Sequence, residues 1–175
     1  ANSKVAYALI KSGEYYETSL EDSSILFGNK DAKMRVTILS NPHCNPCARM
    51  HKRVENLLQI SDQAICVQYI FSSFNKELED SSRYLIYKYF GNTQDKALKE
   101  FDLWYSKEKY EYNSILRRNS TLIYTKMIET EMAKHEKWRK RTSLIETPTI
   151  LVNGYKLPKE YSIEDLAMLT SCNII

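Results

Sequence analysis

Within SNPHCNPCARMHKRV, residues 40–54, two cysteines stand three apart, Cys44 and Cys47. That spacing serves three chemistries. Two thiolates can supply half of a zinc site, close an inert disulfide, or trade electrons as a dithiol–disulfide couple. If the pair opens a helix, unpaired backbone N–H groups and the helix dipole favour negative charge at that end. Cys44 then becomes the more acidic thiol and the nucleophile. Cys47, one turn in, is close enough to attack a mixed disulfide and release the product. Pro46 stiffens the turn, and His43 is placed to donate to the Cys44 sulfur or, when protonated, to stabilise its charge.

The rival chemistries ask for more. Zinc needs two further ligands. His43 and His51 are close in sequence, and Cys47 to His51 is a helical i, i+4 step, yet no second C-x-x-C or H-x-x-x-H is present. A disulfide closing so short a loop would stabilise little. Thiol–disulfide exchange leads, with a redox-inactive protein-docking module and a zinc-binding domain as alternatives. His51 reads as a solvated helix residue without a role. Cys66 reads as a buried, inert small apolar group. Cys172 carries no local signal, and a Cys66–Cys172 bridge is disfavoured.

The elements that must position the pair can be read on either side of it. RVTILS, residues 35–40, is a β-branched apolar run and predicts a buried strand. From Ala48 to Ile60, apolar Met50, Val54, Leu57 and Leu58 recur at helical spacing, and Pro46 falls in the first turn, where its missing N–H costs nothing. AICVQYIF, residues 64–71, predicts a second strand. Over roughly 76–141 charge is dense, strand signals vanish and apolar residues keep helical spacing: Tyr84, Leu85 and Tyr89; Ala97, Leu98, Phe101 and Trp104; Leu122, Ile123, Met127 and Trp138. TPTILVNGYKLP, residues 147–158, predicts strand, Asn-Gly turn, strand. SIEDLAMLT, residues 162–170, predicts a closing amphipathic helix with Ser162 as N-cap. The order implies a parallel βαβ unit, a helical insertion at about 76–141, then a hairpin and helix: one α/β domain over 1–175 with a mixed sheet flanked by helices.

Composition narrows the function classes. The chain has 175 residues, 43% of them hydrophobic, with four glycines and four prolines, which suits one packed domain and excludes a low-complexity chain. A net charge of +3, with both signs interleaved, demands no nucleic-acid or anionic-membrane partner. The thirteen tyrosines read as wet-edged core and surface packing. The basic run KHEKWRKR, residues 134–141, reads as a solvated helix face. Four cysteines are too few for a disulfide scaffold. No apolar run approaches the roughly 20 residues of a membrane span. The opening ANSKVAYALIKSGEYYE lacks a signal peptide's apolar stretch, so the segment reads as soluble, in mature or excised form. A monomer is the default expectation.

A C-x-x-C that follows a strand and opens a helix, joined much later by Thr147-Pro148 before a strand, resembles the thioredoxin superfamily. The long helical block resembles its DsbA-like branch, in which a helical cap lies over the active site. FGNKDAK…SNPHCNPCARMHKRVENLL and ETPTILVNGYKLP are similar to thioredoxin-like domains related to DsbA, including those fused to bacterial vitamin K epoxide reductase homologues. The resemblance covers residues 25–170, and it implies a thioredoxin-like fold and protein-disulfide oxidoreductase activity. By motif match it makes Cys44 and Cys47 catalytic, with Thr147 and a cis-Pro148 meeting the substrate chain. His43, Asn45 and Pro46 modulate the pair. It further implies no cofactor or metal beyond a redox-active Cys44–Cys47 disulfide, and protein thiols or disulfides as substrates. A membrane or soluble redox partner would recycle the pair in a periplasmic or otherwise exocytoplasmic compartment, with membrane tethering of the full-length protein as an option. Three departures leave oxidant, reductant and isomerase open. Ile38 occupies the position of the buried acid six residues before the first cysteine, His43 precedes the pair instead of sitting inside it, and the Asn45-Pro46 dipeptide differs from the usual ones.

Overall fold

The computed structural model describes residues 2–171. Its centre is a five-stranded mixed sheet in the order β1-β3-β2-β4-β5. Strand β2 (Met34–Ser40) lies parallel to β3 (Ile65–Phe71) and antiparallel to β4 (Thr149–Val152). Both central strands are buried almost throughout, on both faces, and the polar Thr37 and Gln68 inside them pair with each other at 2.9 Å. The edges are β1 (Leu26–Gly28), antiparallel to β3, and the two-residue β5 (Tyr155–Lys156), antiparallel to β4.

Helix α2 (Asn45–Ser61) is the crossover between β2 and β3. Its buried face, Cys47, His51, Val54, Leu57 and Ser61, repeats at three and four. Between β3 and β4 come α3 (Glu79–Phe90), α4 (Gln94–Ser106), α5 (Tyr112–Arg118) and α6 (Lys126–Thr142), with a 3-10 turn at Glu108–Glu111. Helix α1 (Asn2–Lys11) precedes the sheet and packs on α7 (Asp165–Ser171) and β5.

Alternation along the strands divides the core. Val36, Ile38, Val67, Tyr69 and Val152 face a large cluster that includes Cys44, Cys47, Val54, Phe101 and Trp104. Leu39, Ile70 and Leu151 face the other way, onto Trp138 of α6. The closing hairpin turns on Asn153 (φ 49°) and Gly154 (φ 89°), the two positive φ values of a type I′ turn.

Several expectations shift. The basic run 134–141 is not a solvated face: His135 and Trp138 are fully buried, and Arg139 donates to the Phe71 carbonyl. Its apolar and imidazole positions cover the second face of the sheet, and only the intervening residues stay wet. Helix α7 starts at Asp165, and the Ser162 N–H is met by the Asp165 carboxylate at 2.8 Å, so 162–164 form a turn ahead of the helix. Neither α1 nor β1 was expected from the sequence. Cys172 lies outside the described residues.

Candidate functional site

The C-x-x-C pair sits where β2 hands the chain to α2. Cys44 is the N-cap residue, with extended backbone (φ −88°, ψ 125°), and its carbonyl accepts the Ala48 N–H at 3.1 Å. Asn45 and Pro46 fill the first two helical positions, where a proline loses no hydrogen bond. Ahead of the pair, the Asn41 side chain accepts the His43 N–H at 2.9 Å and its carbonyl accepts the Cys44 N–H at 3.1 Å, a tight turn that fixes Cys44 at the helix mouth.

The two sulfurs differ. Cys47 is 1% exposed and accepts the Asn41 backbone N–H at 3.4 Å. Burial, reinforced by the Cys44 side chain, pushes its thiol up to about 12, so it stays protonated at neutral pH. Cys44 is 6% exposed and donates to the Thr147 carbonyl at 3.6 Å. The Thr147–Pro148 peptide is cis, and β4 begins at the next residue. Residues 44 and 147 therefore meet, while Pro46 and Asn45 lie exposed at the rim.

Side chains from the helical block close over the turn. Trp104 of α4 donates its indole N–H to the Pro42 carbonyl at 2.9 Å. Tyr105 bonds Ser40 at 2.6 Å. Lys109, in the 3-10 turn, donates from Nζ to Asn45 Oδ1 at 2.7 Å. His43 does not face the Cys44 sulfur. Its Nε2 pairs with Ser81 of α3 at 2.7 Å and its ring packs edge-on against Tyr112 and Trp104. Burial, followed by the positive charge of Lys109, pushes the imidazole below its ordinary range, so the ring is neutral and is not the expected charge donor.

His51 is not solvated. It is 1% exposed, stacks on Tyr105, and bonds the Tyr69 hydroxyl at 2.7 Å and the Leu98 carbonyl at 3.3 Å. Burial pushes it down to about 4. Among the described residues it converges with Glu55 and Asp102 into one group of potential metal-ligating side chains, which contains neither cysteine. Cys66 lies in β3, fully buried, its thiol pushed up to about 11 by burial. Ile38 is buried between Tyr69 and Ile150 on the neighbouring strands, so no carboxylate stands at that position of the sheet. Lys109 and Tyr105 were not singled out in the sequence because their spacing says nothing about which loop they cover, and the solvated reading of His51 fails because α4 packs over that face of α2.

A sheet with this order, a C-x-x-C at the mouth of the crossover helix and a Thr-Pro turn against its first sulfur are now in place. The profile of the family described as Thioredoxin matches residues 20–170. The chain belongs to this thioredoxin family. Solved structures share the family fold. BdbD from Bacillus subtilis, in its oxidised form, superposes with a TM-score of 0.66 at 12% identity, covering 93% of this chain and 98% of BdbD. Reduced DsbA1 from Neisseria meningitidis gives 0.66 at 11%, covering 92% and 87%. A thioredoxin-like oxidoreductase from Silicibacter pomeroyi gives 0.63 at 14%, covering 85% and 90%. No curated protein sequence matches the chain. At such identities the likeness speaks for the fold: this thioredoxin-family chain has the DsbA-like arrangement, with helices α3–α6 inserted between β3 and β4.

Proposed function

We propose that the protein is a thiol–disulfide oxidoreductase acting on protein substrates. The observation that carries the reading is the meeting of Cys44 with Thr147: one sulfur at the mouth of α2, 3.6 Å from a backbone carbonyl that can align a substrate chain. The Cys44 thiolate attacks one sulfur of a substrate disulfide; a Cys44–substrate S–S bond forms, the substrate S–S bond breaks, and the departing substrate sulfur takes a proton. Cys47 then loses its proton and attacks the Cys44 sulfur. The second substrate thiol leaves, and the Cys44–Cys47 disulfide remains. Two electrons and two protons have passed to the substrate; oxidation of a substrate dithiol is the same sequence reversed.

Roles follow from position. Cys44 is the nucleophile because it is the less buried sulfur and stands where helical N–H groups converge. Cys47 resolves. Thr147 and Pro148 orient an extended substrate segment. Asn45 and Pro46 shape the turn, and His43 braces it against α3. With Ile38 in place of an acid, the Cys47 proton leaves without a neighbouring carboxylate on β2. A separate redox protein, membrane-bound or soluble, recycles the pair. The proposed setting is exocytoplasmic, where such disulfides persist; among the described residues no helix is long and apolar enough to cross a membrane.

The test assays both directions: reduction of a model protein disulfide, and oxidation of a reduced, unfolded substrate. C44S is expected to drop to the uncatalysed rate in each. Rates equal to those of the unmodified protein in both assays would end the reading.

A further inference from the structure

Among the described residues, Lys109 is a buried lysine with no ion pair to a carboxylate. It is 5% exposed; its Nζ donates to the Asn45 amide oxygen at 2.7 Å and lies 5.0 Å from the Tyr110 ring centroid. Among the described residues, the lysines that pair with carboxylates are Lys88, Lys134 and Lys140, which reach Glu100, Glu131 and Glu136. Burying an ammonium is costly unless a negative charge answers it. A neutral amide oxygen and a ring face answer it only in part. The residue that anchors Lys109 directly follows the proposed nucleophile, at the first position of α2.

We propose that Lys109 is the positioning cation of the Cys44/Cys47 couple: its ammonium is held by Asn45, the residue next to Cys44, and its transient anion is the Cys44 thiolate. This deepens the exchange reading and rests on it. The thiolate exists only in the reduced protein; the disulfide is neutral. A fixed positive charge therefore favours the reduced form and makes the couple more oxidising.

The other groups around Cys44 do not supply that charge. Cys47 from α2 is a neutral thiol, Tyr105 from α4 is a buried neutral phenol, and the 147–148 turn offers a carbonyl. His43 is neutral and turned toward Ser81. The imidazole is pushed down first by burial and then by the positive charge of Lys109, in keeping with the Lys109–Asn45 contact on this turn.

The experiment compares K109M and K109R with the parent protein. Two readouts are used: the glutathione equilibrium of the Cys44/Cys47 couple, and the pH profile of Cys44 alkylation. K109M is expected to shift the equilibrium about threefold to tenfold toward the disulfide form, about 15–30 mV more negative. Its alkylation profile should move to higher pH, and K109R should restore both. Parent-like values in folded K109M would overturn the proposal. Should K109M not fold, N45A decides. It removes the exposed anchor of the ammonium, and a shift in the same direction supports the role while unchanged values overturn it. Loss of exchange in the parent itself would instead defeat the reading of function.

Discussion

His135 is held by hydrogen bonds of opposite sense. The Phe71 N–H donates to Nδ1 at 3.1 Å, so the proton of the neutral ring sits on Nε2, which faces Glu131 at 2.8 Å. Burial pushes the histidine down. Burial alone would raise Glu131, but the His135 bond and the Ser24 N–H outweigh it and hold the carboxyl at about 2. Both groups thus take up protons less readily folded than unfolded, and stability falls as pH falls, first below 6.5 and again below 4.5. Glu55 works the other way. Burial, and then Asp102, push it up to about 7, so it favours the folded state as pH drops toward 4.5 and contributes no further slope below that. The Glu131 effect is therefore read below 4.5. E131Q should cost about 1–3 kcal/mol at pH 7 in urea unfolding, and its stability should decline less steeply than the parent's between pH 4.5 and 3. Equal slopes would refute the assignment. At this scale the placement of Cys44 and Cys47 at the start of α2, with Thr147 against the first sulfur, was legible from residue type and motif context. The sequence did not show the Glu131–His135 pair, and His135 was read as part of a solvated face, since the Ser23 and Ser24 that complete their network are more than a hundred residues away.

The elements were legible where local chemistry dictates them. Strands β2 and β3 are rich in β-branched and apolar residues because both faces of each are covered, and the Asn153-Gly154 turn is written in two residues that tolerate positive φ. Gly154 has a second constraint. A Cβ there would lie 2.6 Å from a Tyr15 ring carbon and 3.0 Å from the Tyr16 carbonyl, and the Gly154 carbonyl accepts the Tyr16 N–H at 2.7 Å. The turn thus also docks the segment before β1 against β5. G154A should cost about 1–3 kcal/mol, from the positive φ and the clash together, as a lower urea midpoint with an unchanged m-value. A midpoint within error of the parent's would mean the segment yields freely. Strand β1 and helix α1 were not legible. Three residues carry no periodicity, and α1 is short and mixed, held by contacts with α7 and β5 that form only in the finished fold.

At the scale of the molecule, a helical block inserted between β3 and β4 returns to cover the turn that carries the cysteines. Ser81, Trp104, Lys109 and Tyr112 all touch residues 42–45. The insertion was visible in the sequence as a change of texture near residue 76; its contacts with the turn were not, because they join side chains that share no period. Sheet and cap together bury both cysteines, Cys44 at the helix mouth with 6% exposure and Cys47 behind it with 1%. The most direct test of that division of labour mixes reduced C47S with a protein carrying an accessible disulfide and maps the covalent adduct by mass spectrometry. Exchange through Cys44 predicts a thiol-reversible mixed disulfide at Cys44 in C47S, and none at Cys47 in C44S. An absent adduct in C47S, or an equal yield at Cys47 in C44S, would contradict it.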